Sequence, residues 1–381
     1  MEFKINSSDL LKALSHIHGI VEVRHTLPIL SNIILEAKDN ELILSSTNLD
    51  IYCADKIKAE VSKEGEISVS AVTFFEIVKR LPSGSEVVMS IEEGENEIIL
   101  KCGRSKFNLS TLRTDDFPVI SDNDLSTNFV LSADELIRVI DKTKFAVSNE
   151  ETRYYLNGIF LHVPNSDNQK LRAVATDGHR LAQAEIPIPE GASNMPGIIL
   201  PRKAVGEIRK LTDGTDGIIK VIISNTKAQF VFPNSILTTK LIDGSFPDYQ
   251  RVIPKENLNK LLVSNQEFSK AIDRVSTVSL EKSRAVKLSL NNNLLSLNVN
   301  SHDLGNASED LEIDYNYDNL EIGFNSKYLL DITSQIQGKE IQILLSDSAS
   351  PALITDPDQD GVIFVLMPMR VWFSIRFKSQ I

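Results

Sequence analysis

Apolar residues recur along this chain in two alternating rhythms. Stretches with the three-to-four-residue spacing of a helix lie at about Ser7 to Ile20, Ala71 to Leu81, 133–147, 202–211, 265–278 and 326–336. Between them run segments of period two. In the first third these are Ile29 to Ala37, Glu41 to Thr47, Tyr52 to Val61, Glu86 to Ile91, Glu97 to Cys102 and Phe107 to Leu112, and the alternation predicts strands with one face buried. Helix, strands, helix, strands is repeated three times. That order predicts an α+β fold of three similar domains, each with two helices packed on antiparallel sheets. Asp39-Asn40, Asn292-Asn293 and Asp360-Gly361 stand between strand patterns, as tight-turn residues do.

Two independent markers keep step with this repeat. Asn6-Ser-Ser-Asp9, Ser132-Ala-Asp-Glu135 and Ser264-Asn-Gln-Glu267 each put a capping side chain just ahead of a helical run, about 130 residues apart. Leu112 is followed by Phe117-Pro118, and Leu241 by Phe246-Pro247, at the same interval. Chance capping boxes are common but would not hold register with a strand-end motif, so tandem domains of one fold are expected. Polar, proline-containing stretches near Ser121 to Asn128 and Asp248 to Lys260 read as linkers. The expected domains are therefore 1–122, 128–250 and 257–371, with 372–381 as a C-terminal extension.

Composition changes this picture little. A chain of 381 residues that is 42% hydrophobic and 24% charged is ordinary for several globular domains. It has no apolar run long enough to span a bilayer, and its opening Met1-Glu-Phe-Lys-Ile-Asn is too polar for a signal peptide, so a soluble, cytoplasmic protein is expected. Cys53 and Cys102 fall in strand patterns without metal-ligand spacing and are expected reduced in a core. The formal net charge of −12 speaks against a simple nucleic-acid binder but leaves room for a local basic surface.

Catalytic motifs are scarce. The chain has no phosphate-binding glycine loop, no G-x-S-x-G elbow and no H-E-x-x-H helix. His16 and His18, two apart on a helix, point to different faces and cannot share a metal. Asp356-Pro-Asp-Gln-Asp-Gly361 imitates the start of a calcium loop, but Met367 stands where the bidentate glutamate is needed, so an acidic turn is expected. Neither metal nor cofactor is expected. Thr176-Asp-Gly-His-Arg180 supplies the one enzymatic alternative, a hydrolase using Asp177, His179 and Arg180. No nucleophile with a matching partner accompanies these residues, and Asp-Gly between two strands is first of all a turn.

The same segment carries a resemblance. Arg153-Tyr-Tyr-Leu-Asn-Gly158, Ala175-Thr-Asp-Gly-His-Arg-Leu181, Pro201-Arg-Lys203, Phe246-Pro-Asp-Tyr249 and Met367-Pro-Met-Arg370 stand in the order and spacing of the bacterial sliding clamps, the beta subunits of DNA polymerase III. Thr26-Leu-Pro-Ile-Leu30 and Ile322-Gly-Phe-Asn325 extend the likeness across residues 1 to 371. The resemblance implies a head-to-tail homodimer whose six similar domains close a ring around double-stranded DNA, without reading its sequence and without catalysis. It implies docking of the polymerase III alpha subunit, the clamp loader, other polymerases and repair proteins through short linear motifs, and no membrane association.

It also implies site residues. The peptide pocket, between the second and third domains, would comprise Leu156, Thr176, Gly178, His179, Arg180, Leu181, Pro247, Arg251, Val252, Asn325, Tyr328, Val365, Leu366, Met367, Pro368, Met369 and Arg370. Methionines suit such a pocket because they repack around differing anchors. DNA contacts would come from Arg24, Tyr154, Tyr155, Arg202 and Lys203, and the dimer joint from Arg104, Lys106, Leu109, Thr277 and Val278. Further cations on or beside the helices, Lys79-Arg80, Lys142, Lys144, Arg209-Lys210 and Arg274, either line the hole or simply complement helix dipoles. Three positions depart from common family residues: Thr73, Ser283 and Pro351. The extension Trp372 to Ile381 alternates apolar and polar residues and begins beside Met367 and Met369, so it is expected either to fold over the pocket and compete with peptides or to fray as a terminus.

Overall fold

The computed structural model describes residues 1–22, 27–92, 94–120, 125–165, 169–215, 217–279, 284–301 and 303–370. Arg24, Ser283 and the extension lie outside them. Among the described residues there are six α-helices, two in each sequence repeat: α1 (Ser7–Ile17), α2 (Ala71–Val78), α3 (Ala133–Asp141), α4 (Arg202–Thr212), α5 (Asn265–Ser276) and α6 (Ser326–Thr333). The three repeated capping motifs start α1, α3 and α5. Asn6 accepts the N–H of Ser8 at 2.9 Å, Ser132 and Glu135 exchange backbone N–H bonds at 2.9 and 3.2 Å, and Ser264 accepts from Glu267 at 3.4 Å. Each cap satisfies donors that the first helical turn leaves open, an effect of about 1 kcal/mol.

Five of the six helices end earlier than their apolar spacing predicts, and α4 runs one residue further, to Thr212. After α1, His18 closes the last turn with its N–H on Leu14 O, and α3 gives way to a short 3-10 turn at Lys144–Ala146. Two strand expectations are also corrected. The segment from Ile29 begins as a 3-10 turn, Pro28–Ser31, before strand Asn32–Lys38, because Pro28 has no N–H to give a sheet. The single strand expected from Tyr52 to Val61 is two, Ile51–Lys58 and Glu60–Lys63, broken where Ala59 donates to Asn40 O across the hairpin. Asp39 and Asn40 both have positive φ, 53° and 58°, as a primed two-residue turn requires.

The chain forms two compact units, Met1–Ile137 with Ile188–Asp243, and Arg138–Pro187 with Gly244–Ile381. In the first unit, one antiparallel sheet runs from Thr127–Ser132 through the second repeat, crosses where Ser235–Lys240 pairs with Ile51–Lys58, and continues through the first repeat to Glu60–Lys63. Cys53 and Cys102 are buried free thiols, and burial pushes the Cys53 thiol well up. His16 bonds Asp55 at 2.6 Å, while His18 stacks on Phe75 with ring centroids 3.8 Å apart; the two point apart as expected.

In the second unit, strands follow the order Gly158–His162, Lys170–Thr176, Arg180–Pro187, Val362–Leu366, Ala352–Thr355, Glu340–Leu345, Asn259–Ser264, and a separate sheet has the order Gly305–Glu312, Leu294–Ser301, Ala285–Asn291, Leu320–Asn325. The acidic turn is a structural knot. Asp356, 3% exposed, accepts the N–H groups of Gln337, Gly338 and Asp358. Burial alone would raise its pKa, but those three donors outweigh it and hold the carboxyl below its ordinary range.

One core of this unit gathers Val174, Leu181, Tyr249 and Val365, with Phe160, Phe246, Ile253 and Leu353 packed against it. Phe160 stacks on Phe246 at 4.9 Å and on His162 at 4.4 Å. Burial there lowers the His162 pKa from 6.5 to about 4. The unfolded chain therefore takes up a proton near pH 6.5 that the folded chain refuses until about pH 4, so His162 costs the folded state stability as pH falls through that window. Urea midpoints measured from pH 7 to pH 4 should fall more steeply for the natural chain than for His162→Phe. Parallel curves would mean that the imidazole is not held neutral.

Candidate functional site

Two segments far apart in sequence meet by strand pairing. Arg180–Pro187 runs antiparallel to Val362–Leu366, with Arg180 opposite Leu366 and Leu181 opposite Val365. The N–H of Met367 then donates to His179 O at 2.9 Å. Beside this seam the 3-10 turns Glu151–Leu156 and Tyr249–Val252 rise to form walls. They enclose a cleft of about 290 Å³, lined mainly by apolar atoms.

Nine of the expected pocket residues line it: Leu156, Thr176, Gly178, Arg180, Leu181, Pro247, Val252, Val365 and Met367. Met367, 39% exposed, and Val252, 46% exposed, form an apolar lip open to solvent. Gly178 has φ of 87°, so the turn requires glycine; the Arg153 guanidinium lies against the open side of its Cα, with Nη1 2.6 Å from where a Cβ would stand.

The remaining expected residues support the cleft or lie off it. His179 is exposed, with its ring stacked at 6.4 Å on Tyr328. Asn325 caps α6 by accepting from Lys327 at 3.0 Å. Leu366 alternates with Val365 and is wholly buried, Met369 bridges to Gly323, and Pro368 and Arg370 follow in irregular backbone. Arg251 points largely into solvent and pairs with Asp248 at 2.7 Å.

Four lining residues, Arg153, Tyr155, Asp248 and Tyr249, were not expected there. A signal was available, because each stands inside one of the family-like words, Arg153-Tyr-Tyr-Leu-Asn-Gly158 or Phe246-Pro-Asp-Tyr249. Tyr155 was expected at DNA; its neighbour Tyr154 is 53% exposed and meets it edge to face at 5.8 Å.

The candidate hydrolytic residues are spent on structure. Asp177 accepts the N–H groups of His179 and Arg180 at 2.9 and 3.0 Å, and Arg180 Nε at 3.1 Å. Thr176 donates its hydroxyl to Arg180 O and accepts the Gly178 N–H. Arg180, only 9% exposed, also donates to Asp331 and to Phe145 O, both at 2.5 Å, and lies 4.3 Å from the Tyr328 ring centroid. This constellation clasps a turn; it does not activate a nucleophile.

Most of the cations also have partners within the protein. Lys142, expected either to line the hole or to complement a helix dipole, is buried, donates to Gln335 O, and has its pKa lowered by burial. Lys144 pairs with Asp141, Arg209 with Asp213, Lys210 with Glu207, Arg80 with Glu76 and Arg274 with Glu309. Lys79 lies over the Phe75 ring, and Lys203 bonds Ile20 O at 3.0 Å and Glu22 at 2.7 Å. Arg202 is exposed in the first turn of α4. Thr73 joins the α2 cap through Ser70, and Pro351 O accepts from Asn257 at 2.8 Å.

Several strands have an open side among the described residues, and two of them carry or adjoin the residues expected at the dimer joint. Strand Ser105–Leu112 pairs along its length with Glu97–Cys102, but reaches Gly65–Ser70 only through Leu112 and Thr111. Arg104 and Lys106 are exposed beside that edge, and Leu109 is buried. Gly305–Glu312 pairs only with Leu294–Ser301 and carries Glu309, Asp310 and Glu312. Helix α5 packs against it, with Thr277 exposed and Val278 half-buried at the helix end.

Family comparisons cover nearly the whole chain. The N-terminal, central and C-terminal domain models of the DNA polymerase III beta subunit match residues 1–121, 130–248 and 250–370. The beta sliding clamp of Caulobacter vibrioides is 47% identical over 372 residues, spanning 97% of this chain and 100% of the relative; that of Pseudomonas aeruginosa is 38% identical over the same spans. Among solved structures, the C. crescentus beta sliding clamp superposes with a TM-score of 0.93 at 47% identity, covering 97% of this chain and 99% of that one. The Bartonella birtlesii sliding clamp bound to griselimycin gives 0.94 at 45% identity, covering 97% and 100%. With three tandem clamp domains matched in order, the chain belongs to the DNA polymerase III beta subunit family, the beta sliding clamps.

Proposed function

We propose that this chain is a non-catalytic processivity factor: two copies join head to tail as a ring on duplex DNA, and the cleft docks short linear peptides of the polymerase, the clamp loader and repair proteins. Domains over 1–122, 128–250 and 257–371 would be the ring's repeating parts, and the cytoplasm its place of work. The observation that best supports the docking role is the convergence of nine residues, expected from sequence likeness alone, on one apolar cleft. A site built this way takes aliphatic and aromatic anchors, and its exposed methionine adapts to more than one partner.

Ring closure is supported by two of the open edges, Ser105–Leu112 and Gly305–Glu312. An unpaired strand is a template for another chain, and pairing Ser105–Leu112 of one copy with Gly305–Glu312 of the other would use up both. The cations Arg104 and Lys106 would then face an edge bearing Asp310 and Glu312, which favours this pairing over like with like. Topology would hold the DNA, so a strong phosphate grip is unnecessary and would slow sliding by making each step release and recapture counterions. A net charge of −12, with most helix cations already paired to carboxylates, suits weak contact through Arg24, Tyr154, Arg202 and Lys203.

The ring is tested by charging its joint. Thr277→Glu with Val278→Glu should sediment as a monomer and be lost from closed circular DNA, whereas the natural chain stays on circles and slides off linear ends. A dimer that survives both substitutions would place the interface elsewhere.

The cleft is tested with a peptide carrying Leu and Phe anchors, which should bind in the micromolar range, about −8 kcal/mol. Met367→Ala or Leu181→Ala should weaken it by about 1–3 kcal/mol while leaving retention on circular DNA unchanged. Loss of both properties together would make these residues simple core.

A further inference from the structure

Directly behind the apolar cleft lies a polar cluster that docking itself does not require. Tyr249 is 5% exposed and forms part of the cleft lining, packed with Leu181 and Val365. Its hydroxyl accepts a hydrogen bond from Arg172 Nη1 at 2.8 Å and shares another with His162 Nε2 at 3.0 Å. Arg172 is gripped in turn by Glu185, at 2.6 Å from Nε and 2.5 Å from Nη2. Both members of that ion pair are mostly buried, with side chains 12% and 15% exposed. A buried pair of this kind contributes little net stability, because desolvation offsets most of its attraction; what it fixes well is position.

Position matters here because of where Tyr249 sits. It belongs to the short turn Tyr249–Val252, and its N–H closes back on Pro247 O at 2.7 Å. Pro247, Asp248 and Val252 form one wall of the cleft, so a pinned Tyr249 pins that wall. The stack of Phe246, Phe160 and His162 holds the same turn from the side. On the open side Met367 is 39% exposed, and its unbranched thioether chain is the kind that repacks around different anchors. One end of the cleft is therefore rigid and the other adaptable.

We propose that Tyr249, anchored from behind by Arg172–Glu185 and His162, is a specificity-determining positioning residue: it fixes the depth of the cleft so that a leucine-sized anchor fits and a larger ring does not. This rests on the cleft being a peptide-docking site. Selectivity by a rigid floor works through rejection, since a larger anchor can enter only by breaking hydrogen bonds whose partners would be left buried and unpaired. With the anchor loosened, the floor gives way and the larger anchor is accepted.

The test compares two peptides on the full chain, one with Leu and Phe anchors and one with Trp replacing the Leu, by dissociation constant. The natural chain should prefer the Leu peptide by at least about tenfold, the scale of discrimination a shaped apolar pocket reaches. Tyr249→Phe keeps the ring and removes the hydroxyl; it should weaken the Leu peptide and bring the preference below about threefold. His162→Phe, which takes one of the two hydrogen-bonding partners, should narrow it in the same direction by less. Retention on circular DNA reports whether each variant is folded. A preference unchanged in both folded variants overturns the positioning role, as does an equal loss for both peptides accompanied by lost DNA retention, which would mark the cluster as core alone. If the natural chain binds neither peptide, the docking reading falls first and this proposal with it.

Discussion

The antiparallel register that sets Leu181 opposite Val365 is the constraint on which the candidate site depends. In a strand, successive side chains face opposite ways, so a slip of Val362–Leu366 by one residue would turn Val365 away from the cleft and set Leu366 beside Leu181 in its place. Two turns secure the register. At one end the Asp177 carboxylate gathers the N–H groups of the Asp-Gly-His-Arg turn, and Arg180 extends that clasp to Phe145 O and Asp331. At the other, Asp356 collects three N–H donors at the turn before Val362–Leu366. The residues most suggestive of catalysis are thus the ones that secure the turns at the ends of this strand pair.

This division of labour separates two kinds of polar residue. Buried ones are consumed by partners: Arg172 and Arg180 hold the backbone beside the cleft, while Lys142 and Asp356 tie turns elsewhere in the same unit. Exposed ones at and beside the helices pair across one turn, as Arg80 with Glu76 and Lys144 with Asp141. Exposed pairs of that sort are each worth less than about 1 kcal/mol.

Much of the architecture was legible in the sequence because local rules decide it. Helix starts followed from side chains able to cap, turns from Asp39-Asn40 and Asp360-Gly361, and the three-fold repeat from markers that recur in step. Helix ends were less legible. Apolar spacing continues past Ile17 and Asp141, but termination depends on which groups take the last carbonyls, as His18 does at Leu14 O.

The sequence by itself determined the family, the α+β repeat and the words from which a docking cleft is assembled. Only the tertiary structure decided which letters of those words face the cleft. Tyr155 and Tyr249 line it, Leu366 and Asn325 do not, and Lys142 is buried instead of facing solvent. The physical reason is that membership in a site is a matter of side-chain direction and of long-range pairing. Residues adjacent in sequence on a strand point to opposite faces, and the partners that bury a cation or floor a cleft, such as Gln335 for Lys142 or Arg172 for Tyr249, lie far away along the chain.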